Sequence, residues 1–411
     1  MNNLLRRDAQ AIALSAIEAV KPDEAVRRAL EAVTPGGRIY LVAAGKAAWQ
    51  MAAAAVAQLK RPIHQGIVVT KYGHVMGAIP NCVCYEAGHP VPDANSFAAA
   101  EAVLAMTENL SKSDTVLFLL SGGGSALFEK PLVTEETLRQ VTEKLLAGGA
   151  GITEINTIRK RLSAVKGGRF ARHCAPAQVE AIILSDILGD PVHMIASGPA
   201  AADPTTKEEA NSIAARYGLD HFAEVRRSLE VETPKEVSNV HTQIIGSVRQ
   251  LCRAAEKAAA ELGYECIFLS DQLDGEASDT GRWMATELKK YAGSGRKIAL
   301  LAGGETVVHL KGNGLGGRNQ ELALSAAQVL DGMPNAALIS VGSDGTDGPT
   351  DAAGGYVDGD TVGELAEKGM DIAAYLQNND AYHALKAVGN LIITGPTGTN
   401  VNDVTIGLIN A

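Results

Sequence analysis

Aromatic side chains are scarce in this sequence: they make up 4% of its 411 residues, with only 6 Phe and 2 Trp. Packing between elements must therefore rely on small aliphatic side chains, not on stacked rings. Cysteine is scarce as well. Cys82, Cys84, Cys174, Cys252 and Cys266 are odd in number, and the first two form C-x-C, not the C-x-x-C of a metal or redox pair. They read as structural thiols in a reducing compartment. Long apolar runs are missing, and the opening stretch MNNLLRRDAQAIALSAIEAV alternates like an amphipathic helix. Neither a secretory signal nor a membrane span is expected there, which points to the cytoplasm. Positive charge is in deficit, the formal net charge being -10. With no basic patch to offset it, nucleic acid and acidic membranes are excluded as partners. The phosphate loop G-x-x-x-x-G-K-[ST] is absent too, so any nucleotide site must be of another kind. A small anion can still be held, by locally placed Lys, Arg and backbone N–H groups.

What the sequence has in quantity is small residues, including 43 Gly, within a chain that is 46% hydrophobic and 20% charged. Its length suggests two domains. Short apolar runs at 39–42, 66–70, 115–120 and 181–184 alternate with alanine-rich helical stretches. That rhythm predicts an α/β fold, with a larger N-terminal, doubly wound, Rossmann-like parallel sheet. A second series, QIIGSV, ECIFLS, KIALLAGG, TVVHL and AALISVG, starts near His241 and predicts a smaller C-terminal α/β domain. The segment 204–239, polar and proline-bearing, reads as the connection, which puts the boundary at 238 and the domains at 1–238 and 239–411.

In open parallel sheets ligands bind beyond the carboxyl ends of strands, so the turns there carry the functional weight. After TVLFLL comes Ser121-Gly122-Gly123-Gly124-Ser125, either an N–H cradle for an anion or a tight turn that needs small residues. Lys46 follows LVAAG at another strand end, within reach of an anion or simply solvated. Arg159 and Lys166 belong to a cationic run that could bind phosphate or carboxylate, or form a solvated helix face. The strand AIIL ends in SDILGDP, whose Asp186 and Asp190 suit a general base or magnesium ligands, Asp190 equally a turn before proline. In the second half lie Glu305 of GGET, Arg318 and Asn319 of GGRNQE, and Asp344, Asp347 and Asp351 of SDGTDGPTD. These three aspartates could hold magnesium against phosphates or cap a compact turn. Gly312 to Gly317 spell G-x-G-x-x-G, a dinucleotide fingerprint whose acidic partner is not at its usual spacing.

Taken in order along nearly the whole chain, GKAA, GHPVPD, LSGGGSAL, NTIRKRLSAVKGGR, SDILGDP, IASGP, DPTT, GGETVV, GLGGRNQELAL and GSDGTDGPTDAAGG resemble the class II glycerate 2-kinases. That family joins an N-terminal glycerate-kinase domain to a C-terminal MOFRL domain. The resemblance implies phosphorylation of D-glycerate to 2-phosphoglycerate with ATP and Mg2+, in the cleft between the domains. Some relatives carry the label hydroxypyruvate reductase and occur in tartrate degradation, which implies NADH or NADPH instead. A non-catalytic sensor of small phosphorylated acids is the third reading. Two positions depart from the family's pattern: Arg161, where histidine is expected, and Ala200, where threonine is more usual.

On the kinase reading Lys46, Asp186 and Arg318 are the catalytic candidates, Asp186 as the base for the substrate hydroxyl. Ser121 to Ser125, Arg159, Lys166 and Asn319 would bind phosphate or substrate. Asp190, Glu305, Asp344, Asp347 and Asp351 are the candidate metal ligands. The partner is a small molecule, and nothing in the sequence opposes a homodimer.

Overall fold

The computed structural model describes residues 3–410 and divides the chain into two compact units. One is Pro22–Ile245; the other combines the N-terminal residues up to Lys21 with Gly246 onward. The expected boundary at 238 is corrected at both ends. QIIGSV does not begin the second series, because β6 (Val240–Gly246) is the sixth strand of the first sheet. The opening amphipathic helix, Asn3–Ala19, packs with the helix Val248–Glu261 of the second unit, where it buries Leu5, Ile12 and Ala16. Nor is 204–239 a linker: it folds into the helices Lys207–Arg216 and Ala223–Leu229, which bury Ile213 and Leu229 among the first unit's own side chains.

In the first unit β1 (Ile39–Ala44), β2 (Gln65–Lys71), β3 (Cys82–Ala87), β4 (Thr115–Leu120), β5 (Gln178–Leu184) and β6 form one sheet in the order β3-β2-β1-β4-β5-β6. The pairings β1–β2, β2–β3, β1–β4 and β4–β5 are parallel. β1 and β4 are buried at every position, as continuous apolar runs must be when helices cover both faces. Three of the few phenylalanines gather in that core, Phe118, Phe128 and Phe170, with ring centroids 4.9 to 5.9 Å apart.

The second unit holds β7 (Glu265–Leu273), β8 (Ile298–Gly304), β9 (Ala336–Gly342), β10 (Gly354–Asp358), β11 (Leu391–Ile392) and β12 (Asp403–Ile409), in the order β11-β10-β9-β12-β8-β7. Only β7–β8 is parallel among the pairings described, so the sheet is mixed. The expected strand TVVHL is absent: that stretch contributes a single bridge, Val307 to Glu276. Among the described residues no helix is long and apolar enough to cross a membrane.

Candidate active site

In the first unit the chain leaves β1 toward one edge of the sheet and β4 toward the other, so the two strands flank the topological switch point where open α/β sheets bind ligands. The turns after both strands are tied to each other. Lys46 N donates to Gly122 O at 2.8 Å, Ala47 N to Ser121 Oγ at 3.1 Å, and Ser121 N to Ala44 O at 3.0 Å. Ser121 is thus a fully buried brace that lashes the glycine turn to the lysine turn.

Two of the glycines are required by close approach. A Cβ on Gly122 would collide with the Asp186 carboxylate, while Gly123 is left-handed at φ +86 and a Cβ there would lie 3.0 Å from His89 Cδ2 and 3.2 Å from Lys46 Cγ. The backbone is therefore packed directly against a carboxylate, an imidazole and an ammonium stem. Around His89 stand Lys46, Lys71 and His74; burial first, and then these positive neighbours, hold the His89 imidazole below its ordinary pKa, hence neutral at neutral pH.

Arg159 joins this cluster by donating from Nη2 to Ser125 O at 3.0 Å. Ser125 Oγ sits 3.1 Å from Ser197 Oγ, which donates to Asn156 Oδ1 at 2.8 Å, so the far end of the turn is braced from the IASGP segment. Asp190 takes a left-handed backbone at φ +53, and its Oδ1 is buried without a hydrogen-bond partner among the described residues. Lys166 is corrected: it is fully buried, paired with Glu129 at 2.7 Å and bonded to Phe128 O at 2.9 Å, with burial pulling its pKa down to about 8. It anchors the core.

The two positions that depart from the family pattern are both buried. Arg161 is enclosed, bonded to Thr205 Oγ1 at 2.9 Å and Thr205 O at 2.8 Å, and ion-paired with Glu232 at 2.8 Å and Asp203 at 3.4 Å. Ala200 lies in the hydrophobic core.

In the second unit Arg318 opens the helix Arg318–Leu330 and clasps Asp403 with two bonds, Nε to Oδ2 at 2.5 Å and Nη2 to Oδ1 at 3.0 Å. Its Nη1 donates to Glu305 Oε1 at 3.0 Å. Asp403, which starts β12, is buried, and burial pushes its carboxyl up to about 6 against the pull of Arg318. The neighbouring carboxylates keep Arg318 firmly charged. Its Glu305 contact is different in kind, since the Glu305 side chain is 48% exposed and such a pair exchanges readily.

Asp347 is corrected from a metal candidate to a capping group. Its Oδ1 accepts from Asn319 N at 3.1 Å and its Oδ2 from Gln320 N at 2.9 Å, satisfying the first turn of the Arg318 helix from a neighbouring loop. Asn319 is corrected as well: buried, it accepts from Ser340 Oγ at 2.6 Å and leans on Asp347, leaving no face for substrate. Asp344 caps its own turn through Thr346 N at 2.9 Å, and Asp351 accepts from Tyr382 Oη at 2.8 Å. The glycines of G-x-G-x-x-G serve contacts within the chain: a Cβ on Gly312 or Gly314 would strike Asn378 or Asp380, and one on Gly317 would strike Asp347. A dinucleotide has no cradle there.

Among the described residues no three His, Cys, Asp or Glu side chains gather as a ready metal cage. The structure brings together Lys46, Ser121 to Ser125, Arg159 and Asp186 in the first unit, and Arg318 with Glu305 in the second. Sequence reasoning missed His89 and Asp403. His89 had a signal in GHPVPD, a polar turn after β3, while Asp403 had only its place at a strand start.

The fold and this site define a doubly wound α/β protein with a glycine-rich turn at its switch point, coupled in sequence to a mixed α/β unit. Residues 8–230 match the domain of unknown function DUF4147, and residues 298–403 match the MOFRL family. The chain belongs to the glycerate 2-kinase family built from these two domains. It is 52% identical to the D-glycerate 2-kinase of Thermotoga maritima, over 98% of both chains. A protein of Agrobacterium vitis provisionally named hydroxypyruvate reductase is 43% identical, over 91% of this chain and 88% of that one. The crystal structure of glycerate kinase from Thermotoga maritima superposes with a TM-score of 0.95 at 51% identity, covering 98% of this chain and 99% of that chain.

Proposed function

We propose that this protein transfers a phosphoryl group from ATP to the 2-hydroxyl of D-glycerate, giving 2-phosphoglycerate. The observation that carries the reading is the switch-point turn, in which Gly122 and Gly123 let backbone meet Asp186, His89 and Lys46 at close range. Phosphoryl transfer asks a protein mainly for position and charge, and the turn supplies both. Lys46 and Arg159 place cations beside the turn, a fit for phosphate oxygens. Asp186 is the acceptor for the hydroxyl proton, held against the turn by the absence of a Cβ at Gly122. His89, kept neutral, can donate or accept a hydrogen bond without adding charge. Arg318 can exchange its exposed Glu305 partner for a ligand carboxylate or phosphate while the Asp403 clasp keeps the guanidinium aimed.

Magnesium fits the donor set without a prebuilt cage, because that ion is held by one or two carboxylates plus the substrate's phosphates. Asp190, with its orphaned Oδ1, is the residue that would hold it. When bound, it would neutralise charge on the transferring phosphate.

Purified protein with D-glycerate, ATP and magnesium should release ADP and 2-phosphoglycerate, and neither without glycerate. Oxidation of NADH or NADPH by hydroxypyruvate, with no nucleotide turnover, would overturn the kinase reading in favour of the reductase. Ligand binding with neither reaction would leave a sensor.

A further inference from the structure

The first unit carries a second cationic surface. A groove of about 650 Å3 lies between the helices Arg169–Cys174 and Ala223–Leu229, with Arg169, Arg172, His173 and Arg227 in its lining and Leu132 and Val231 as apolar wall. None of Lys46, His89, Asp186 or the residues of the glycine turn lines it. In a chain of net charge -10, three guanidiniums in one groove are a local reversal of sign.

Their charge is only partly offset locally. Arg169 is buried and fixed, its Nη1 donating to the carbonyls of Lys160, Arg161 and Ser163 at 2.8, 3.2 and 2.6 Å, which are neutral partners. Burial first, and then the charges of Arg172 and Arg161, lower its pKa, the sign of guanidiniums crowded against one another. Arg172 and Arg227 are exposed and make no ion pair within 4.0 Å among the described residues. The carboxylate in the lining, Glu224, takes Thr134 N at 3.0 Å and Thr134 Oγ1 at 3.3 Å, and these bonds together with the nearby Arg227 charge lower its pKa. Leu132 and Val231 are about half exposed, at 50% and 55%, so the apolar wall is open beside the cations.

We propose that this groove binds a small phosphate monoester, at a site separate from the glycine turn. Guanidiniums match the dianionic head with paired N–H donors, and the aliphatic wall takes the short carbon body. An inorganic ion would use only the first half of the groove and bind less well.

Calorimetric titration of the full chain, without nucleotide, tests this with glycerol 3-phosphate and inorganic phosphate as probes. K46A, which alters the glycine-turn site, should still bind glycerol 3-phosphate, and more tightly than phosphate. R172A/R227A should weaken that binding by about tenfold or more, as expected for lost charged hydrogen bonds. Both substituted side chains are exposed, so the melting temperature should hold; if it falls, R227E is the second variant and must weaken binding at least as much. The proposal is overturned if R172A/R227A binds like the parent, if K46A loses all ester binding, or if phosphate binds as tightly as the ester.

Discussion

At the scale of single residues the glycine turn is the sensitive point. Replacing Gly123 with Ala forces a side chain into the left-handed region, at about 1–2 kcal/mol, and pushes it against His89. Turnover should fall by an order of magnitude or more while the fold persists; an unchanged kcat would remove the turn from the chemistry. Asp186→Asn should abolish turnover with nucleotide binding largely intact, and undiminished turnover would exclude it as the base. Lys46→Ala removes the positive neighbour second only to burial in depressing His89, so the His89 pKa should rise, as read by NMR titration. A static His89 would mean that the two side chains do not sense each other. At this scale the sequence was informative where a turn followed a strand: Lys46, the SGGGS run and Asp186 all stand at strand ends. Lys166 misled because a lysine in a cationic run looks the same in sequence whether it meets water or, as here in the turn before the helix Arg169–Cys174, a buried glutamate.

At the scale of elements, the helix Arg318–Leu330 is started from outside itself. Its N-terminal residue before the first turn is Gly317, which has no capping side chain, and Asp347 supplies the missing acceptor from another loop. Asp347→Ala should therefore cost roughly 2 kcal/mol or more, read by denaturant unfolding, since it strips a buried charged cap from backbone donors. A purely metal-binding Asp347 would show little change without metal. This cap could not be read from the sequence, because donors and acceptor lie almost thirty positions apart and the pattern DGTDG has a complete local explanation. Strand runs with strictly apolar character were legible, as for β1, β4 and β8. β3 was not, since CVCYEA is only partly buried and mixes polar with apolar positions. TVVHL failed in the opposite sense: β-branched residues without a neighbouring strand to pair with form a bridge and no more.

At the scale of the whole molecule, acid should act differently on the two units. In the first, hydrogen bonds to backbone and Lys235 with the Arg161 charge overcome burial to hold Glu232 down to about 2, and Arg38 holds Asp114 well below the carboxylate range. Asp203 is lowered too, chiefly by Lys160 and Thr233 against the opposing effect of burial. Lowered folded values mean stability that is complete above the unfolded carboxylate range, about 4 to 4.5, and is lost as pH falls toward 2. In the second unit burial raises Asp403 to about 6 and lifts Asp347 and Glu321. Raised folded values run the other way: the folded form takes up protons first, so stability from these groups is present at low pH and lost as pH climbs through about 6. Hydrogen exchange between pH 7 and pH 3 should show residues 22–245 opening first; earlier opening of the other unit would contradict this balance. The two-domain α/β plan was legible from the alternation of strand and helix signals. Its boundary was not, because periodicity identifies a strand without saying which sheet it joins.

The helix Asn3–Ala19 buries its apolar face against elements that begin more than two hundred residues later. In topological terms the first unit is an insertion within the second. During synthesis Pro22–Ile245 has all its strands once β6 emerges, while the opening helix must wait, unpartnered, for the second half of the chain. Order of synthesis and order of completion are thus reversed. A fragment lacking residues up to Lys21 should keep the first unit cooperative and leave the second with an uncovered hydrophobic face.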